Sequence, residues 1–317
     1  MLVATLLMAT LFTVACSQKP ELVSGRFLYV VECEARVVKL DTSEGKMLAT
    51  IALAEQSSLV PKVHSAQSGL DGCIAESVLR DATGKQVNVI VPTSTRVNSE
   101  GKRDFQWLTF ALPEWTFVSA KPAGTGLEQP PFLRRDASAV ISVKRAEERS
   151  LSAELDLREY KNTGSVLANT IIESSGDTSL LRVFTADKAR FTLGLANQRT
   201  RALTLLAELP STTVTNVHLA PGGDYVMAEI TEPNSSPIRL TGALRLYDAT
   251  GNAVADVKDE GIRNSAFLAL TPNGSAVYRS GNEYRFVMVA PKGTRFGNAA
   301  VSQPSPEFRP GLVFAGE

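Results

Sequence analysis

The chain has 317 residues, and its 33 lysines and arginines balance 33 aspartates and glutamates, so it carries no net charge. That balance excludes a general nucleic-acid binder, which shows a basic footprint. With 44% hydrophobic residues and no long low-complexity tract, the composition is that of a globular protein and not of a disordered one.

Residues 1–15, MLVATLLMATLFTVA, carry no charged side chain and end at Cys16. The run is too short for a helix that spans a hydrocarbon core, which takes about 20 residues. It has the character of a secretory signal closing on small residues. Thr13-Val14-Ala15-Cys16 resembles the lipobox of bacterial lipoproteins, with Val14, Ala15 and Cys16 in place and Thr13 where leucine is usual. The resemblance implies that Cys16 is acylated and becomes the mature N-terminus. A covalent lipid on Cys16 is then the only cofactor expected, and several acyl chains hold a protein stably on a membrane. Ser17 stands where an aspartate usually retains Gram-negative lipoproteins at the inner membrane, so the resemblance implies the outer membrane, facing the periplasm or the cell surface. The alternative is an ordinary signal peptide and a secreted or periplasmic soluble protein. Residues 16–21 read as a lipidated tether, 22–302 as the main domain, and 303–317 as an irregular tail with Pro304, Pro306 and Pro310.

From residue 22 onward the pattern is short strands with turn signals between them and almost no helical periodicity. Val37 to Leu40 leads into Asp41-Thr42-Ser43-Glu44-Gly45-Lys46 and then Met47 to Leu53. Ser77 to Arg80 leads into Asp81-Ala82-Thr83-Gly84-Lys85 and then Val87 to Val91; Ala243 to Tyr247 leads into Asp248-Ala249-Thr250-Gly251-Asn252 and then Ala253 to Val257. In each unit the aspartate can accept hydrogen bonds from turn N–H groups, and the glycine supplies the positive φ of a tight reversal. A second turn recurs at Pro221-Gly222-Gly223-Asp224 and Thr271-Pro272-Asn273-Gly274. The two prolines are 51 residues apart, and Asp41 and Asp81 are 40 apart. Periods in this range mark repeat architectures, with propeller blades at about 40–45 residues.

Phe27-Leu28-Tyr29-Val30-Val31 followed by Val37 to Ile51 resembles a YVTN-type β-propeller repeat, with Asp41, Gly45, Lys46, Ala49, Thr50 and Ile51 in the places that family fills. The Pro-x-Gly turns resemble those of WD40-like and Tol-B-like blades, and Asp81 to Lys85 resembles the turn of quinoprotein-type blades. The resemblance implies an all-β propeller of six or seven four-stranded blades, closed by pairing a strand from one end, Leu22 to Val31, with strands from the other. A β-sandwich pair is the alternative.

With Cys16 given to lipid, Cys33 and Cys73 remain as a pair in an oxidising compartment. Each lies eight residues before the aspartate of its unit, so they occupy matching places in consecutive repeats. A bond between them and two separate free thiols both stay open.

The chain has no Gly-x-Ser-x-Gly, no His-Glu-x-x-His and no phosphate loop ending in Gly-Lys-Ser/Thr. No metal ligand spacing stands out among the cysteines and histidines. His64 and His218 are the only histidines. His64 sits in a polar loop. His218 alternates with Val217 and Leu219 and so faces away from them, toward a central channel or as a satisfied structural residue. Trp107 and Trp115 offer an aromatic surface for a sugar, or else pack between blades. The leading expectation is a non-catalytic, membrane-anchored scaffold that binds an envelope protein partner. The alternatives are a propeller enzyme, either a lactonase-like hydrolase or a quinoprotein-like oxidoreductase, and a sugar-binding surface lipoprotein.

Overall fold

The computed structural model describes residues 26–62, 73–81, 83–128, 130–133, 140–141, 154–164, 166–186, 188–206, 214–231, 240–263, 265–290, 293–300 and 311–315. Strands β1 (Phe27–Val31), β2 (Arg36–Asp41) and β3 (Lys46–Ala52) form an antiparallel meander, followed by one helical turn, α1 (Leu53–Gln56). Strands β4 (Ser77–Arg80), β5 (Gln86–Pro92), β6 (Arg103–Ala111) and β7 (Thr116–Leu127) make the next sheet. A two-stranded sheet, β8 (Phe132–Leu133) with β9 (Val140–Ile141), comes next. Three more meanders follow: β10 (Val166–Ser175), β11 (Thr178–Thr185), β12 (Lys188–Asn197) and β13 (Ala202–Leu205); β14 (Val214–Leu219), β15 (Tyr225–Thr231), β16 (Leu240–Asp248) and β17 (Ala253–Lys258); and β18 (Ala266–Leu270), β19 (Ala276–Ser280), β20 (Glu283–Ala290) and β21 (Gly293–Ala300). The last strand, β22 (Gly311–Ala315), returns to pair with β1, Phe27 opposite Ala315.

The fold is a β-propeller. Blade I has the order β22-β1-β2-β3, blade II β4 to β7, blade III β10 to β13, blade IV β14 to β17 and blade V β18 to β21. Among the described residues there are five four-stranded sheets and one two-stranded sheet. The innermost strands β22 and β4 touch across one blade boundary, β10 and β14 across another, and the outer strands β21 and β3 bring blade V onto blade I.

The second strands β1, β5 and β19 are buried at successive positions, because both faces of the sheet are covered there, whereas the outer strands β3, β7 and β17 are largely exposed. Alternate residues of β1 go to opposite neighbours. Leu28 and Val30 pack with Val277 and Phe286 of blade V, whereas Tyr29 and Val31 pack with Val87 and Phe110 of blade II. The same split recurs in β15, where Val226 and Ala228 join the core facing blade III and Met227 joins the core facing blade V.

Two sequence readings are corrected by this topology. The tail is not irregular throughout, since residues 311–315 are the inner strand of blade I and β1 is only its second strand. The 40-residue period is not a blade period either. The Asp41 turn joins the last two strands of blade I, whereas the Asp81 turn joins the first two of blade II. The 51-residue spacing of Pro221 and Pro272 is a true blade period, because both turns join the first and second strands of adjacent blades.

Cys33 and Cys73 form a disulfide, with Cα atoms 4.7 Å apart. Their places in the blades are not equivalent, and that is why they meet. Cys33 lies in the β1–β2 turn, Cys73 just ahead of β4, and the Cys33 carbonyl accepts the N–H groups of Ile74 (2.8 Å) and Ala75 (3.1 Å).

Candidate functional site

On β14, Val217 and Leu219 pack into the core between blades III and IV. The two-residue alternation of a strand therefore turns Asn216 and His218 the other way, toward blade V. Asn216 is exposed and His218 partly exposed, at 23% of its side chain. On the paired strand β15, Glu229 stands opposite Asn216 and is buried, with 1% of its surface exposed.

A buried carboxylate requires partners. Glu229 accepts a hydrogen bond from Asn216 Nδ2 at 2.8 Å and another from the Tyr278 hydroxyl of blade V at 3.1 Å, and His218 Nε2 lies 3.5 Å from its Oε2. Burial by itself raises the Glu229 pKa; the hydrogen bonds from His218, Asn216 and Tyr278 together with the nearby imidazole outweigh it and hold the carboxyl below its ordinary value. Burial, and then the charge of Glu229, push the Tyr278 hydroxyl far above the usual tyrosine range, so it stays a donor. The His218 ring stacks on Phe267 of β18, with centroids 3.6 Å apart and planes 19° apart. Phe267 in turn meets Tyr278 edge-on at 5.6 Å. In the tautomer that donates Nε2–H to Glu229, His218 keeps Nδ1 as a proton acceptor.

A second buried carboxylate, Glu32, lies across the opposite boundary of blade V. It pairs with Arg36, accepts the Tyr284 hydroxyl at 2.7 Å and has Arg279 Nη1 at 3.7 Å. On the face of the ring that holds the tight turns, Ser43, Asp224, Asp248, Asn273 and Arg295 line an open groove of about 830 Å³. No group of three or more His, Cys, Asp or Glu side chains able to hold a metal converges among the described residues.

The residues singled out in the sequence are therefore dispersed. His218 reaches the blade IV–V boundary. Cys33 and Cys73 pair on the boundary of blades I and II. Trp107 and Trp115 are buried at 5% and 0% exposure, so neither presents a face to a sugar. Trp107 donates from Nε1 to Asn88 at 2.8 Å and carries Lys121 over its ring; Trp115 packs with Tyr29 and Phe110 between blades I and II. Cys16 and His64 lie outside the described residues. Asn216, Glu229, Phe267 and Tyr278 had not been singled out. One signal was there to read: Glu229 is the lone charge in the apolar run Val226-Met227-Ala228-Glu229-Ile230.

No family model and no curated protein matches the chain. Solved structures similar to it include a periplasmic gluconolactonase of Pseudomonas aeruginosa, at 12% identity over 90% of this chain and 98% of that one, with a TM-score of 0.37. A Bacteroides fragilis protein described provisionally as a 6-phosphogluconolactonase is 11% identical over the same shares, with a TM-score of 0.38. An oligogalacturonate lyase of Vibrio parahaemolyticus is 9% identical over 86% of this chain and 73% of that one, with a TM-score of 0.33. Likeness at this level concerns the fold.

The expectation of a non-catalytic scaffold is corrected here. It rested on the lack of a catalytic constellation in the sequence, and the fold brings His218, Glu229 and Tyr278 together from β14, β15 and β19.

Proposed function

We propose that the chain is a lactonase-like hydrolase in which His218 is the general base. The observation that supports this reading is the buried Glu229 carboxylate, which faces a partly exposed histidine on an innermost strand. Water bound beside His218 gives a proton to Nδ1 as its oxygen adds to the carbonyl carbon of a cyclic ester. The ring C–O bond then breaks, and the proton passes from His218 to the departing alkoxide, leaving a hydroxy acid. Glu229 stabilises the imidazolium formed between the two transfers, and general-base assistance of this kind contributes about 10²–10⁴-fold. The test is hydrolysis of glucono-1,5-lactone, corrected for the spontaneous reaction. His218→Ala is expected to lower kcat/KM at least about 100-fold. A variant as active as the parent overturns the reading.

We also infer that the protein is held on the outer membrane by lipid on Cys16, and that its repeats are of the YVTN type. The apolar run before Cys16 and the Val14-Ala15-Cys16 sequence support the anchor, and a disulfide suits an oxidising compartment. Palmitate labelling that persists in Cys16→Ser rules the anchor out.

A further inference from the structure

Four side chains at the boundary of blades IV and V form a closed circuit of contacts. His218 faces Glu229 at 3.5 Å, Glu229 accepts from Tyr278 at 3.1 Å, Tyr278 meets Phe267 edge-on at 5.6 Å, and Phe267 stacks on His218 at 3.6 Å. Tyr278 is the one member that touches both supports of the histidine. Its hydroxyl holds the carboxylate, and its ring holds the aromatic face on which the imidazole lies.

Blade V makes the same tyrosine-to-glutamate bond at its other boundary, where Tyr284 donates to Glu32 at 2.7 Å. Both tyrosines are fully buried, both carboxylates are buried, and both bonds join neighbouring blades. The two differ in what surrounds them. Glu32 is matched by Arg36 and Arg279, an arrangement closed on itself. The charged and titratable groups around Glu229 are His218 and Tyr278, with the amide of Asn216 beside them and Asp259 acting on Tyr278 from the turn before β18. Among the described residues, the groups that hold Glu229 are His218, Asn216 and Tyr278, and its anion is directed at a histidine that reaches solvent.

We propose that Tyr278 is a positioning residue for His218, acting through two separable arms: the hydroxyl, which fixes Glu229 and with it the tautomer of the imidazole, and the ring, which fixes Phe267 and with it the plane of the imidazole. Tyr284 is its structural counterpart, with no part in the chemistry. The inference rests on the hydrolase reading for its consequence in catalysis, but its geometry is testable without any substrate.

With only two histidines in the chain, the imidazole nitrogens of His218 are readily resolved by ¹⁵N NMR against a His64 variant. Tyr278→Phe keeps the ring arm and loses the hydroxyl. It is expected to turn a single His218 tautomer into a mixture and to lower kcat/KM for glucono-1,5-lactone about 10-fold with little change in KM. Phe267→Leu keeps the hydroxyl arm and loses the stack; the His218 ring protons lose their ring-current displacement while the tautomer stays single. Tyr284→Phe serves as the matched control and leaves the tautomer and kcat/KM unchanged, whatever it costs in stability. An unaltered tautomer in Tyr278→Phe, or the same change in Tyr284→Phe, overturns the proposal. If the tautomer responds in Tyr278→Phe while His218→Ala remains fully active, the positioning inference is upheld and the hydrolase reading fails.

Discussion

A carboxylate can anchor a fold or serve a reaction, and the aspartates and glutamates of this ring divide along that line. Asp41, 2% exposed, sits in the β2–β3 turn and accepts from Ser43 N (3.0 Å), Ser43 Oγ (2.8 Å) and Glu44 N (3.1 Å). Burial pushes its pKa up, and these hydrogen bonds with Arg26 outweigh it, so the carboxyl lies below its ordinary value. Asp81 and Glu229 are lowered against burial in the same way, whereas for Asp248 the hydrogen bond from Thr250 is the largest influence. A group whose folded pKa is depressed contributes stability that is present above its unfolded pKa and is lost as pH falls through the folded one. Urea midpoints are therefore expected to hold near neutrality and to fall from about pH 4.5 downward. A midpoint that rises on acidification contradicts this. Asp41→Ala leaves turn N–H groups without their acceptor and is expected to cost roughly 1–2 kcal/mol. At this scale the sequence was legible in part. The turn aspartates announce themselves by the glycines that follow them, and His218 by its place in an apolar strand. The ring it stacks on could not be read, because Phe267 lies 49 residues further on in another blade and nothing local links the two.

Strands and turns were legible one by one, since alternation and Asp-x-x-Gly chemistry are local. Which strands a given turn joins is a matter of register around the ring. The matching of Cys33 with Cys73 reached the right pair through an equivalence that the blades do not have. Their bond closes a loop with a sequence separation of 40, for which chain entropy gives roughly 4 kcal/mol. The double variant Cys33→Ser, Cys73→Ser is expected to lose about that much in denaturant titration. An unchanged midpoint would mean that the backbone bonds from Ile74 and Ala75 to the Cys33 carbonyl already hold the junction. On the outer rim, the β2–β3 turn lies directly on β21. A Cβ at Gly297 would stand 2.7 Å from the Gly45 carbonyl oxygen, and Arg295 donates to the Ser43 carbonyl at 3.2 Å. Gly297→Val is expected to destabilise by about 1–3 kcal/mol through this backbone clash, read as a lower thermal midpoint.

Across the whole molecule, blade I is made from both ends of the described chain: β1, β2 and β3 from one, β22 from the other. Removal of residues 311–317 is expected to leave β1 with an unpaired edge, to uncover Val31 and Leu28 on the axis side, and to give a protein that elutes as aggregates on size exclusion. A monomeric, cooperatively unfolding truncation would show that the ring does not need its last strand. The architecture was legible in the repeats, and so was closure by the Leu22 to Val31 segment with the other end; that its partner is residues 311–315 was not, because Leu312 and Val313 follow prolines that read as a tail. The seam also carries a lesson about time. A chain made from its N-terminus onward has three strands of blade I long before it receives the fourth, residues 311–315. Among the described strand pairings, that of Phe27 with Ala315 spans the most sequence, and long-range pairings form slowly. Until residues 311–315 emerge, β1 keeps an open edge beside sheets already formed, so five residues decide whether the strands before them become a ring or an adhesive.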